Sequence, residues 1–211
     1  MDTTTTIFSL IVMVFSVVIH EVSHGYAALF LGDRTAEYQG RLSLNPLRHI
    51  DLVGSIIVPL ASFILGGYAF GWAKPVPFNP NNLRNKRWGE LIVAVAGPLS
   101  NICIALFFGF IIRFIYSNNS SEVNPAFVAA LPLLMVAVII NLTLALFNLM
   151  PVPPLDGSKI LWALLPVRFI SVRRKIESLG IIPVLLFVII LWEFVDRVIP
   201  YLFTIITSVR F

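Results

Sequence analysis

Charge is scarce in this chain. Of 211 residues only 12% are Asp, Glu, Lys or Arg, where a soluble domain carries about 25%. Hydrophobic residues make up 58% and the mean hydropathy is +0.90. So little polar surface cannot cover a water-soluble globule. That excludes an ordinary cytosolic enzyme, a disordered chain and a collagen-like chain. Cysteine is nearly absent: Cys103 stands alone in an apolar run, so no internal disulfide can form. Long basic blocks are missing, the densest being Arg173-Arg174-Lys175, and no nucleic-acid partner is expected. The net charge of +4, from 15 Lys and Arg against 11 Asp and Glu, fits the cytoplasmic loops of a membrane protein. No basic stretch precedes the first apolar run, which leads into His20-Glu21 and not into a small-residue cleavage site. That run is expected to be a retained membrane helix, not a signal peptide.

What is present is a series of long apolar segments. A spanning helix needs about 20 apolar residues. Candidates are residues 7–31, 88–116 and 125–150, with a last span beginning at 181–192 and a further apolar stretch at 199–209. Residues 52–72 are apolar too, but broken by Gly54, Pro59, Gly66-Gly67 and Gly71. Residues 73–87 are rich in Pro and Asn and read as a loop; residues 158–180 are amphipathic and basic. The expectation is one polytopic all-α domain over residues 1–211, a bundle of five to six membrane segments. Positive charge helps to choose its topology. If residues 52–72 cross fully, nine basic residues face one side and six the other; if they dip in and return, the split is twelve to three. The second arrangement obeys the positive-inside rule better, and a broken re-entrant segment is tolerated where protein covers it. It puts the N-terminus outside and the polar loops after His24 and Asp156 in the cytoplasm.

The chemistry-bearing residues sit inside the apolar runs. His20-Glu21-Val22-Ser23-His24 is an H-E-x-x-H motif on a predicted helix. Residues i and i+4 share a helix face, so two imidazoles can bind one Zn²⁺, with Glu21 beside them to take a proton from water. The chain has only three histidines, and ionisable groups at membrane depth are costly and usually mark function. Catalytic zinc takes three protein ligands. His49, Asp51, Glu90 and Asp156 are candidates for the third. Asp156 is the strongest, in Pro153-Pro154-Leu155-Asp156-Gly157 directly after a spanning helix; as a lone motif it could equally be a turn that caps the next helix. Asn101 and Asn148 could each donate to a developing oxyanion or serve as helix–helix glue. Asn141 is read as glue, and His49 and Asp51 as loop anchors. Gly97-Pro98 marks a kink or a close packing contact, and Glu193 and Arg197 are spaced for an ion pair.

These residues resemble the site-2 proteases, zinc metalloproteases that cut peptide bonds within the membrane. His20-Glu21-Val22-Ser23-His24-Gly25 looks like that family's zinc helix. Gly97-Pro98-Leu99-Ser100-Asn101 looks like its G-P-x-x-N helix, and the segment from Asn148 to Gly157 is similar to its N-x-x-P-x-P-x-L-D-G stretch. Residues 44–51 and 71–77 further resemble a compact branch without PDZ or CBS modules. The resemblance implies one Zn²⁺ per chain on His20, His24 and Asp156, Glu21 as catalytic base, and Asn148 holding the substrate or the oxyanion. The expected activity is zinc-dependent intramembrane endopeptidase cleavage of membrane-anchored protein substrates. It is expected in the cell membrane, with the active site nearer the cytoplasmic face. The substrate would unwind and pair with a short edge strand at residues 65–70 or 40–44. Two other classes stay open at this point: a non-enzymatic transporter that relays ions through the same residues, and a pseudoprotease that binds transmembrane helices without cutting.

Overall fold

The computed structural model describes residues 3–66, 71–117, 125–180 and 197–210. Its described elements are helical. Helix α1 (Thr3–Phe30) is followed by a single turn α2 (Thr35–Tyr38), a π-helical turn Val53–Ile57 and α3 (Val58–Gly66). Next come α4 (Lys86–Ser117), α5 (Pro125–Asn148), the short α6 (Asp156–Leu164) and α7 (Ile170–Glu177). A last helix, α8, covers Arg197–Thr207. Among the described residues three helices are long and apolar enough to cross a membrane: Thr3–Phe30, Trp88–Ser117 and Pro125–Asn148. Pro98 and Pro132 lie inside α4 and α5, a placement that membrane helices tolerate because neighbouring groups satisfy the freed carbonyls. The expected last span at 181–192 and the Glu193–Arg197 pair involve positions outside the described residues.

Helices α1, α4 and α5 pack on one another, and α6 lies against α4. Small residues make close approach possible: Ala28, Ala94, Ala105, Ala137 and Ala145 are almost wholly buried. One core cluster joins α4, α5 and α8 through Ala105, Ile112, Val138, Leu142 and Phe203. Another joins α1 and α4 through Ala28, Val93 and the loop residue Leu83. Large apolar side chains such as Leu10, Val14, Phe107 and Phe114 point outward, as a lipid-facing surface requires.

Helix α1 stops at Gly32, whose φ of +106° is open to glycine. The turn closes with Gly32 N–H donating to the Leu29 carbonyl (3.0 Å) and Asp33 N–H to that of Ala28 (2.9 Å), a Schellman-type end. Asp33 then ties down the following loops. Its carboxylate is fully buried and accepts from the Thr35 hydroxyl (2.6 Å), the Asn79 amide (2.7 Å) and the Asn82 side chain (2.8 Å).

The broken stretch at residues 52–72 begins and ends at one place. Trp72 N–H donates to the Gly54 carbonyl (2.9 Å), Ser55 Oγ donates to the Trp72 carbonyl (2.9 Å), and Lys74 N–H donates to that of His49 (2.8 Å). The edge strand expected at 40–44 is not formed. That segment is irregular, because the Arg41 guanidinium binds it to its surroundings in place of a backbone ladder, donating to the carbonyls of Arg48, Lys74 and Pro75. Of the other expected strand, residues 67–70 lie outside the described residues.

Candidate metal centre

Three ligand groups meet where α1 faces the start of α6. His20 and His24 lie one turn apart on the buried face of α1, and Asp156 is the first residue of α6. Asp156 Oδ2 is 3.1 Å from His20 Nε2 and 3.0 Å from His24 Nε2, and the two Nε2 atoms are 3.1 Å apart. All three side chains are buried, and among the described residues this is the one group of His, Cys, Asp and Glu that could hold a metal ion. A tetrahedral ion with ligands at about 2.0–2.2 Å sets ligand atoms about 3.4 Å apart, a few tenths of an ångström wider than seen here.

The hydrogen bonds behind the imidazoles decide what the centre can hold. His24 Nδ1 lies 2.6 Å from the Val93 carbonyl. A carbonyl only accepts, so Nδ1 carries the proton and Nε2 presents a lone pair. His20 Nδ1 lies 2.7 Å from Asn101 Oδ1, with the same result. In the neutral rings two bare nitrogens and a carboxylate oxygen face one another, an arrangement that a metal cation, or a proton shared with Asp156 Oδ2, relieves. A set of two imidazoles and one carboxylate with a fourth position open suits zinc in a catalytic role.

Local sequence explains the convergence. At Gly157 a Cβ would run into the carbonyls of Leu149 and Met150, so any larger residue would push the Asp156 turn off the end of α5. Gly97 performs the same service for α4: a Cβ there would run into His24 Nε2 and reach within 2.7 Å of His20 Cε1. Lys159, one turn along α6, donates to Asp156 Oδ1 (3.0 Å), which leaves Oδ2 turned to the imidazoles. Glu21, about 60–100° round α1 from the two imidazoles, is half-buried, and its Oε2 accepts from the Val76 backbone N–H (2.9 Å). Arg41, donating to the carbonyls of Lys74 (2.7 Å) and Pro75 (3.2 Å), fixes the loop that carries this amide.

Of the four candidates for a third ligand, the structure brings Asp156 to the imidazoles. His49 is buried and paired with the Ser43 carbonyl (2.8 Å). Asp51 accepts from Trp72 Nε1 (3.1 Å), and Glu90 lies 3.7 Å from Arg173. His49 and Asp51 thus anchor loops. Asn148 turns its amide to the Leu144 carbonyl of its own helix (2.9 Å). Asn101 contacts His20, a role different from either considered above. Val76, Lys159 and Arg41 were not singled out by sequence. Arg41 and Lys159 carried one signal, as cations beside otherwise apolar or proline-rich segments; a backbone amide such as that of Val76 carries none.

Comparison with known proteins agrees with this chemistry. Residues 115–191 match the model of Peptidase family M50. Over 176 residues the chain is 37% identical to the candidate zinc metalloprotease YwhC of Bacillus subtilis, covering 83% of this chain and 77% of that protein. It is 31% identical over 143 residues to the candidate zinc metalloprotease Rip2 of Mycolicibacterium smegmatis, covering 67% of this chain and 51% of that protein. The corresponding Rip2 of Mycobacterium tuberculosis is 27% identical over 144 residues, again covering 67% of this chain and 51% of its own length. The chain thus spans about half the length of the Rip2 proteins. No solved structure matches. A catalytic-type donor set among helices long and apolar enough to cross a membrane and a relative aligned along most of both chains lead to one conclusion: this chain belongs to peptidase family M50, the site-2 protease family of membrane metalloproteases.

Proposed function

We propose that this protein is a zinc-dependent intramembrane endopeptidase that cleaves transmembrane segments of membrane-anchored proteins. The observation that carries the reading is the meeting of His20, His24 and Asp156 among helices long and apolar enough to span a bilayer. His20 Nε2, His24 Nε2 and one Asp156 oxygen would hold the ion. Bound there, Zn²⁺ supplies Lewis-acid polarisation of a peptide carbonyl and lowers the pKa of water to about 7.

The chain's own residues do the rest. Glu21 Oε2, now held by the Val76 amide, takes a proton from the attacking water and returns it to the leaving amine. Lys159 keeps the second Asp156 oxygen engaged. Asn148, swung from its own helix carbonyl, holds the unwound substrate backbone or donates to the oxyanion. The substrate helix must open locally first, because helical hydrogen bonds shield the scissile carbonyl.

The whole chain, residues 1–211, forms one polytopic peptidase domain of five to six membrane segments in this reading. Residues 52–72 re-enter; their two ends bond to each other at Gly54, Ser55 and Trp72, which supports a segment that leaves and returns on one face. The site then lies nearer the cytoplasmic face of the cell membrane. Purified protein should bind one zinc per chain and cut a model transmembrane substrate. The substitution Glu21→Gln should keep the zinc and lower cleavage by about 10²–10⁴-fold, the usual share of a general base. Full activity in that variant, or a wild type without zinc, would end the proposal.

A further inference from the structure

Behind His20 lies a polar chain that crosses three membrane helices. Asn101 of α4 and Asn141 of α5 are completely buried, and Ser16 of α1 nearly so. Asn101 Nδ2 donates to Asn141 Oδ1 (2.9 Å) and to the Ser16 carbonyl (3.3 Å). Asn141 Nδ2 donates to the Ala137 carbonyl and to Ser16 Oγ, both at 2.9 Å. Three unpaired polar side chains here would be costly in lipid; together they satisfy one another.

The chain also has a direction. An isolated carboxamide can flip, exchanging oxygen for nitrogen at little cost. Here each carboxamide is pinned by a backbone carbonyl, which can only accept. The Ala137 carbonyl demands the nitrogen of Asn141, which turns Asn141 Oδ1 to Asn101. That oxygen and the Ser16 carbonyl together demand the nitrogen of Asn101. Both N–H groups of Asn101 are then spent, and Oδ1 is the only atom left for His20. An oxygen there holds a proton on His20 Nδ1, so that in the neutral ring Nε2 is the nitrogen with the lone pair.

We propose that Asn141, Ser16 and Asn101 form a relay that fixes the tautomer and ring orientation of His20 for metal binding. Asn101 and Asn141 are positioning residues: neither reaches the metal or the substrate. His24 needs no such relay, since a backbone carbonyl that cannot flip already orients it. The inference rests on the zinc reading above, and it assigns to Asn141 more than the joining of two helices.

The test uses the full-length protein in detergent or nanodiscs, with zinc affinity read by chelator competition and a cobalt-substituted visible spectrum. Asn101→Leu should weaken zinc binding by about 10–100-fold, the usual loss when a metal-bound histidine loses its hydrogen-bond partner, and should alter the cobalt bands. Asn101→Asp keeps an oxygen facing His20 but gives up the N–H groups that Asn141 Oδ1 and the Ser16 carbonyl accept, and should restore part of the affinity. Asn141→Leu frees the Asn101 amide to flip and should fall between the two. Independently, ¹⁵N spectra of the metal-free protein, assigned by loss of signal in His20→Gln, should show His20 protonated at Nδ1 in wild type. Both leucine variants should show mixed tautomers. If Asn101→Leu does not fold, Asn141→Leu and the wild-type tautomer decide the matter. Undiminished zinc affinity with only a lower thermal midpoint, or a wild-type His20 protonated at Nε2, overturns the relay. A wild type that binds no zinc at all but shows the Nδ1 proton sinks the peptidase reading and leaves the hydrogen-bond relay standing.

Discussion

The two flanks of helix α1 hold their site residues by different means. The inner flank, against α4 and α5, holds His20 and His24 through buried side-chain and helix-carbonyl contacts at Asn101 and Val93. The polar side chains there, Ser16, Asn101 and Asn141, are matched to one another and to helix carbonyls. The outer flank, against residues 33–51 and 71–82, holds Glu21 through one backbone amide on a loop, itself tied by Arg41 and Asp33. The contrast suits the chemistry. Metal ligands need a rigid, water-poor frame, whereas a base that takes up and releases a proton needs neighbours that can adjust.

That contrast can be broken at its stiffest point first. Gly97→Val puts a side chain where both imidazoles stand. It should strip the zinc and cut cleavage by about 10²-fold or more, since ångström-scale misplacement costs that much. Zinc analysis beside a cleavage assay checks it; retention of one zinc per chain would show the inner frame to be softer than described. A smaller effect is expected from the outer flank. Arg41→Ala releases the Lys74 and Pro75 carbonyls and lets the Val76 amide drift. It should lower kcat by about tenfold, less than loss of the base itself, with zinc content unchanged. Loss of zinc in that variant would erase the division between the flanks.

The smallest effect concerns stability. Burial pushes the Asp33 carboxyl up, but hydrogen bonds from Thr35, Asn79 and Asn82 outweigh it and hold the group below its ordinary range. A carboxylate with a depressed folded pKa contributes stability that is complete above the unfolded value of about 3.9 and is lost as pH falls through the lower folded value. Thermal unfolding should therefore show an acid limb below that value. Asp33→Asn should flatten the limb and cost about 1–3 kcal/mol at neutral pH, the range for an impaired buried hydrogen-bond site. An unchanged limb would remove Asp33 from the outer tether.

How much of this was legible in the sequence follows from how local each feature is. The pair His20 and His24 shares a face by helix geometry alone. Asp156 announced itself by a proline-rich turn after an apolar run, and the structure brings it to the imidazoles. The three long spans follow from apolar length. Asn101 was visible as a polar residue out of place, yet its partner depends on how α4 is rotated against α1, which no spacing encodes. Asn141 was passed over as glue because its bonds to Ser16 and Asn101 join three helices at once. The expected strand at 40–44 failed for a related reason: an arginine side chain replaced the backbone ladder that an extended segment would otherwise seek.

The proposed ligands lie 132 and 136 residues apart in the chain. Synthesis proceeds from the N-terminus at about 5–20 residues per second, so a growing chain displays its paired imidazoles for many seconds with no carboxylate to complete them. The proposed three-ligand centre is complete only once α6 has emerged and brought Asp156 to the imidazoles.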